Sequence, residues 1–87
     1  MTQAEEDVQV VDCRGLACPE PVWRVRQAIE GMAPGDCLEV WATDPLAELD
    51  LGVFCQRTGH QLTRVETRDG VLVARIRVRT TPRPDAG

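Results

Sequence analysis

The residues of this sequence with the clearest chemical signature form a short run in which one cysteine is followed by two prolines. Cys18 lies in the run GLACPEP (residues 15–21), directly before a stretch that predicts a helix. Pro19 fits the first position of that helix, where its missing N–H costs nothing. The N-terminus of a helix carries unpaired N–H groups and about half a positive charge, which stabilises a thiolate. The run therefore indicates a nucleophilic thiol that can carry a sulfur atom.

A thiol that carries sulfur must be exposed, its charge must be stabilised, and the backbone around it must leave room for a partner. Gly15, Pro19 and Pro21 supply the shape and rigidity of such a loop. We expect the pKa of Cys18 to lie below the roughly 8.5 of a free thiol. Arg14 contributes to the lower pKa of Cys18 if its loop folds over the cysteine. Otherwise Arg14 is a solvated charge in the loop. A persulfide is more acidic than a thiol, so the same positive field should favour the anion of the loaded form.

The first helical turn after Cys18 supplies the side chains that a docking protein would meet. We expect Glu20, Trp23 and Arg24 to be accessible there and to form part of the partner-binding surface. Trp23 has two interpretations, an anchor for docking and packing at the edge of the helix. Glu20 is explained more simply by the favourable interaction of its charge with the helix dipole.

The other cysteines and the single histidine follow no spacing that is typical of a metal site or a redox dithiol. Cys13, Cys18, Cys37 and Cys55 contain no C-x-x-C pair, so we expect no metal and no cofactor. Cys55 is interpreted as a small buried residue in preference to a second sulfur site. Cys13 is interpreted as a loop cysteine without function, the alternative being a disulfide with Cys18. His60 is more simply structural than catalytic.

Composition limits the class of protein. The 87 residues form one domain, predicted over residues 8–79, and the polar segments 1–7 and 80–87 are predicted to be disordered tails. The net charge of −4 argues against a general nucleic-acid binder. No apolar run approaches the roughly 20 residues of a membrane span, and the acidic N-terminus is not typical of a signal peptide. We therefore expect a cytoplasmic protein whose cysteines are reduced.

Hydrophobic periodicity predicts the element order β-α-β-α-β-β. Strands are predicted over 8–12, 37–43, 61–68 and 71–79, and helices over 19–32 and about 50–58. Asp44-Pro45 is expected to start a helical turn before the second helix, and Gly59 to end that helix in a left-handed conformation. Asp69-Gly70 is the turn of a β-hairpin.

The last strand alternates apolar residues with arginines. Its arginines, Arg75, Arg77 and Arg79, would share one face of the sheet, while the apolar residues face the helices. The pattern predicts a two-layer α/β sandwich, with a four-stranded mixed sheet and two helices on one face.

The run around Cys18 resembles the signature of the TusA family of small sulfur carriers, also called SirA-like proteins. Residues 12–22 carry the CPxP motif, and a second block follows in the order of that family: DPLA at 44–47, DL at 50–51, FC at 54–55 and GH at 59–60. The resemblance covers residues 8–78. The sequence departs from the family pattern at Ala17, a position where the family often has a basic residue. This difference affects the expected acidity of the Cys18 thiol and the choice of partner.

The resemblance implies a stoichiometric carrier, and not clearly an enzyme, that holds sulfane sulfur as a persulfide on Cys18. The donor would be a cysteine desulfurase or a rhodanese-like protein, and the acceptor a DsrE-like or similar protein. The sulfur would serve tRNA thiolation, cofactor supply or sulfur oxidation. The alternative is a regulatory protein-interaction or RNA-binding module that uses the arginine face, with Cys18 incidental. The acidic net charge and the scarcity of aromatic residues count against RNA.

Overall fold

The secondary structure follows the predicted order of strands and helices. The computed structural model describes residues 8–79, so the segments 1–7 and 80–87, predicted to be disordered, lie outside the described residues. The elements are β1 (Gln9–Cys13), α1 (Glu20–Glu30), β2 (Cys37–Ala42), α2 (Ala47–Thr58), β3 (Gln61–Arg68) and β4 (Val71–Arg77). The predicted order β-α-β-α-β-β is confirmed.

The four strands form one mixed sheet in the order β1-β2-β4-β3. β1 pairs with β2 in parallel, whereas β2–β4 and β3–β4 are antiparallel. The hairpin between β3 and β4 turns at Asp69 and Gly70, whose φ angles of 52° and 80° suit a two-residue turn. A parallel pair needs a crossover connection, which α1 provides. The C-terminal ends of β1 and β2 therefore lie at the same edge of the sheet.

The core lies between one face of the sheet and the two helices. Alternate residues of the two central strands are buried there, as the sequence predicts, together with apolar residues of both helices: Leu38, Val40, Ala42, Leu72, Ala74, Ile76, Val25, Leu51 and Phe54. Burial of these side chains is the main term that stabilises so small a domain. The predicted two-layer α/β sandwich is confirmed.

The outer face of the sheet, which points away from the two helices, is less exposed to solvent than the alternation of apolar residues and arginines in β4 suggests. Val73 is only 9% exposed, and its register partner Trp41 is half-buried. Glu39 accepts hydrogen bonds from Trp41 Nε1 at 2.7 Å and from Arg75 Nε at 3.2 Å. This face therefore carries an internal hydrogen-bonded network that includes one of the three arginines.

Arg79 does not lie on the outer face, contrary to the prediction. β4 ends at Arg77, and Val78 then donates to the Asp36 carbonyl at 2.8 Å. Arg79 Nη1 donates to the Thr58 carbonyl at the end of α2, at 2.7 Å. The chain leaves the sheet at this point, and the arginine binds the carbonyl end of a helix, where a positive charge is favourable.

Both helices begin at other residues than predicted. α1 begins at Glu20, so Pro19 is its N-cap residue and Pro21 its second residue, and the peptide bond between Cys18 and Pro19 is cis. α2 begins at Ala47, three residues before the predicted start. Asp44 accepts from the Ala47 N–H through its carbonyl at 3.0 Å, so the predicted turn and helix are continuous.

Gly52 inside α2 and Gly59 directly after it give opposite predictions for alanine substitution. Gly52 lies inside the helix, and a Cβ there would meet nothing within 4 Å, so Gly52→Ala should raise the free energy of unfolding by about 0.5–1 kcal/mol. Gly59 ends the helix at φ 88°, a left-handed conformation, so Gly59→Ala should lower it by about 1 kcal/mol. Denaturation in urea measures both, and destabilisation by Gly52→Ala would contradict the helical assignment of this position.

Candidate functional site at the edge of the sheet

Two loops that meet at one edge of the sheet hold Cys18. Because β1 and β2 are parallel, the loops that follow them leave the sheet side by side, the usual location of sites in α/β proteins. The Cys18 N–H donates to the Asp44 carboxylate, and the Gly15 N–H donates to Thr43 Oγ1 at 2.9 Å. Gly15 has a φ of 82°, which favours glycine at this bend. The loop that contains Cys18 (residues 14–19, the cysteine loop) is therefore hydrogen-bonded to the loop after β2.

The thiol of Cys18 is half-buried and donates a hydrogen bond to Oδ2 of Asp50. Asp50 lies in the first turn of α2, which approaches Cys18 because the loop before it is bound to the cysteine loop. Asp50 and Asp44 are not among the site residues predicted from the sequence. Both residues belong to the second block of the family resemblance. That block is the feature of the sequence that points to them.

The environment of Cys18 is negative, which contradicts the predicted decrease in pKa. The hydrogen bond to Asp50, burial, and the charges of Asp50 and Asp44 together raise the pKa of Cys18 to about 11. Backbone hydrogen bonds from Leu46 and Cys18 lower the pKa of Asp44, so this carboxylate is charged at neutral pH. Two carboxylates beside the thiol outweigh the positive end of α1.

Arg14 does not lie over Cys18. Its guanidinium donates to both carboxylate oxygens of Asp12, at 2.9 and 2.8 Å, and lies 5.1 Å from the centre of the Trp41 ring. The hydrogen bonds from Arg14 lower the pKa of Asp12 to about 2. Arg14 therefore pairs with an aspartate and packs over a tryptophan of the outer face, and the structure shows no contact through which it would stabilise a thiolate at Cys18.

The remaining residues predicted around Cys18 lie on α1 and its N-cap. Glu20, Trp23 and Arg24 are exposed, Trp23 by 58% of its surface. Pro21 is buried and Pro19 is exposed. The structure thus presents the three residues of the predicted docking surface to solvent, beside the half-buried thiol.

The three other cysteines differ from Cys18 in position and burial. Cys13 is the last residue of β1 and is fully buried, so its interpretation as a loop cysteine is wrong. Cys55 is 4% exposed, and burial raises its pKa to about 11. Cys37 is half-buried at the start of β2. Among the cysteines, Cys18 alone lines a groove between α1 and α2.

His60 lies in the packing around the end of α2. Its Nδ1 accepts a hydrogen bond from the Arg79 N–H at 3.0 Å, and its ring centre lies 5.7 Å from that of Phe54. Burial, with a smaller contribution from Arg79, lowers the pKa of His60. These contacts are those of a structural residue.

A groove of about 350 Å³ runs between α1 and α2 and contains Cys18 and Asp50. Its walls combine apolar side chains with two arginines: Val22, Leu49, Val53, Phe54, Arg26 and Arg57. The Arg26 guanidinium lies 5.8 Å from the centre of the Phe54 ring. A larger hollow of about 590 Å³ lies between α2 and β3 and contains no cysteine. The groove therefore places an apolar surface directly beside the thiol.

Comparison with known families agrees with this arrangement. The family model described as Sulfurtransferase TusA matches residues 9–78. The chain belongs to the TusA family. This family is the one that the CPxP run and the second block resemble.

Individual relatives extend the comparison. The chain is 48% identical over 63 residues to a candidate sulfur carrier protein of Archaeoglobus fulgidus, covering 71% of this chain and 82% of that protein. It is 40% identical over 68 residues to the sulfur carrier protein TusA of Pseudomonas putida, covering 78% and 85%. A crystal structure of a SirA-like protein from Desulfitobacterium hafniense superposes with a TM-score of 0.73 at 25% identity, covering 83% of this chain and 99% of that one. Within residues 8–79, neither helix has the length and apolar character that crossing a membrane requires.

The raised pKa of Cys18 predicts slow alkylation at neutral pH. The rate should increase with pH towards a midpoint near 11, well above the value of a free thiol, because a protonated thiol is a poor nucleophile. Iodoacetamide labelling followed by mass spectrometry measures this. The measurement uses the Cys37→Ser variant. Because Cys13 and Cys55 are buried, Cys18 is then the accessible cysteine that reacts. A midpoint at or below about 8.5 would show that the two carboxylates do not control the thiol.

Proposed function

We propose that this protein is a sulfur carrier that holds sulfane sulfur as a persulfide on Cys18. Membership of the TusA family supports the carrier role. The observation that supports Cys18 is its position, since it is the cysteine that lines the groove between α1 and α2. Cys13 and Cys55 are enclosed in the core, where a protein partner cannot reach them.

The proposed reaction is an exchange of sulfur between thiols. Cys18 attacks the outer sulfur of a donor persulfide and later yields that sulfur to an acceptor thiol. Each protein molecule carries one sulfur per cycle, which makes it a stoichiometric carrier. The chemistry fits a cysteine desulfurase or a rhodanese-like protein as donor and a DsrE-like or similar protein as acceptor. A cytoplasmic location fits the four free thiols.

The alternative function, an interaction or RNA-binding module built on the outer face, has less support. It requires a row of available arginines, but Arg75 pairs with Glu39 at 3.2 Å and Arg79 binds the Thr58 carbonyl. Arg77 remains exposed at the end of β4. Arg64 and Arg68 of β3 share this face but pair with Glu66 at 3.9 and 2.6 Å, and arginines that are largely paired, on an acidic protein, are a weak basis for binding a polyanion.

Substitution of Cys18 tests the assignment of the thiol. Incubation with a sulfane-sulfur donor should add the mass of one sulfur atom to the wild-type protein, and a reductant should remove it. Cys18→Ser should abolish the gain, because no other thiol lines the groove, while Cys37→Ser should retain it. Intact-protein mass spectrometry reads both. Loading of Cys18→Ser at the wild-type level would overturn the assignment.

The surface around Cys18 should control recognition of partners. Transfer requires the two sulfur atoms to come within bonding distance, so a partner must cover the first turn of α1. Trp23 is 58% exposed there, and Trp23→Ala should slow transfer to an acceptor protein about tenfold, since buried aromatic anchors are worth more than 1 kcal/mol.

Arg77→Glu is the matched control, because Arg77 is exposed on the opposite face of the sheet. Both variants should load sulfur normally and keep the stability of the wild type within about 0.5 kcal/mol. If Arg77→Glu blocks transfer and Trp23→Ala does not, the partner binds the outer face.

A further inference from the structure

The contact between Cys18 and Asp50 joins a nucleophile directly to a proton acceptor. The thiol donates a hydrogen bond to Asp50 Oδ2, and both side chains line the same groove. A carboxylate within hydrogen-bond reach of a reacting proton meets the geometric condition for a general base. We propose that Asp50 is a catalytic residue of sulfur exchange, which accepts the Cys18 proton when sulfur is loaded and returns a proton to Cys18 when sulfur is delivered.

This inference rests on the proposed sulfur-carrier function, and its first step is the loading of Cys18. Asp50 accepts the thiol proton, and the Sγ electron pair forms a bond to the outer sulfur of a donor persulfide, R–S–S–H. The bond between the two donor sulfurs breaks, and the donor leaves as the thiolate R–S⁻. Asp50 then protonates that thiolate. The products are Cys18–S–S–H and R–SH, with no net oxidation or reduction.

Delivery uses the same groups in the opposite order. The acceptor thiol gives its proton to Asp50 and attacks the outer sulfur of the Cys18 persulfide. Cys18 leaves as a thiolate, and Asp50 protonates it. One carboxylate can serve both steps because each moves a single proton between two sulfur atoms. The reaction therefore needs no base or acid from the partner.

The groove makes such a base necessary. The pKa of Cys18, about 11, leaves only a very small fraction of the thiol ionised at neutral pH. A partner that covers the groove also displaces the water that would otherwise take the proton. Asp50 is already in contact with Sγ, so the proton can move as the sulfur–sulfur bond forms. The free carrier keeps an unreactive thiol, and docking of a donor supplies the substrate that makes proton transfer productive.

The same charges act on the loaded form. Asp44 and Asp50 disfavour a persulfide anion at Cys18, which reverses the expectation drawn from the helix N-terminus. A protonated persulfide has the electrophilic outer sulfur that an acceptor must attack. Arg26 of α1 and Arg57 of α2 line the same groove and are the positive groups that face this pair.

The test compares the rate of alkylation and the rate of sulfur loading in Asp50→Asn and in a matched control variant. Glu48→Gln removes one carboxylate from the same turn of α2, at an exposed position outside the Cys18 groove. Each variant, in the Cys37→Ser background, is alkylated with iodoacetamide as a function of pH. Each is also loaded with glutathione persulfide and followed by intact mass spectrometry.

Asp50→Asn should change the two rates in opposite directions. Alkylation at neutral pH should rise about three- to tenfold, because a lower pKa gives more thiolate and the weaker nucleophilicity of that thiolate offsets part of the gain. Loading should fall about tenfold, because loss of a general base typically costs about 100-fold or more and the extra thiolate offsets part of the loss. Glu48→Gln should change neither rate.

The other outcomes separate the two proposals. If the wild type does not load, the sulfur-carrier function is wrong. If the wild type loads and Asp50→Asn loads as fast or faster, Asp50 is not the base. A fall in both rates in a folded Asp50→Asn would show that Asp50 only holds the thiol in place. If that variant does not fold, loading of the wild type in D₂O decides: a slower rate supports a proton transfer within the loading step, and an unchanged rate overturns it.

Discussion

The carboxylate of Asp44 is the interaction on which the site depends. The two carboxylate oxygens accept hydrogen bonds from the backbone N–H groups of Cys18 and Leu46. The backbone carbonyl of Asp44 accepts a hydrogen bond from the Ala47 N–H. One residue therefore binds the cysteine loop to the start of α2. Hydrogen bonds to a charged acceptor are stronger than neutral ones, so this connection resists local opening. Together with the hydrogen bond from Gly15 to Thr43, it sets the position of the thiol relative to Asp50.

That connection has an electrostatic consequence for the thiol. It places Cys18 between Asp44 and Asp50, and the hydrogen bond to Asp50 with both charges keeps the thiol protonated. A thiolate at a helix N-terminus would be reactive towards any electrophile, whereas a protonated thiol is not. In the proposed carrier function, a thiol that stays unreactive until a partner is bound limits sulfur exchange to docked partners. Specificity then comes from docking rather than from a permanently activated nucleophile.

Much of the fold could be predicted because its signals are local. The alternation in β4 and the Asp69-Gly70 turn act over a few residues, and the structure confirms the turn in full and the inward-facing apolar residues of the strand as far as Ile76. The ends of elements were less predictable. α2 extends back to Ala47 because Asp44 accepts hydrogen bonds at its start. β4 ends at Arg77 because the next reciprocal hydrogen bond to β2 is lost, since the Asp36 N–H donates to the Ala33 carbonyl instead of to Val78. These boundaries depend on partners that periodicity does not show.

The sequence by itself determined the order of the elements, the layer that is buried and the position of the Cys18 thiol just before a helix, since each follows from residues that are neighbours in the chain. The tertiary structure decided what surrounds that thiol. Asp50 lies 32 residues from Cys18, and the two meet because β1 and β2 are parallel and their following loops share one edge. Arg14, close in sequence, is held away by Asp12. The direction of the pKa shift was therefore set by carboxylates that only folding brings to the cysteine.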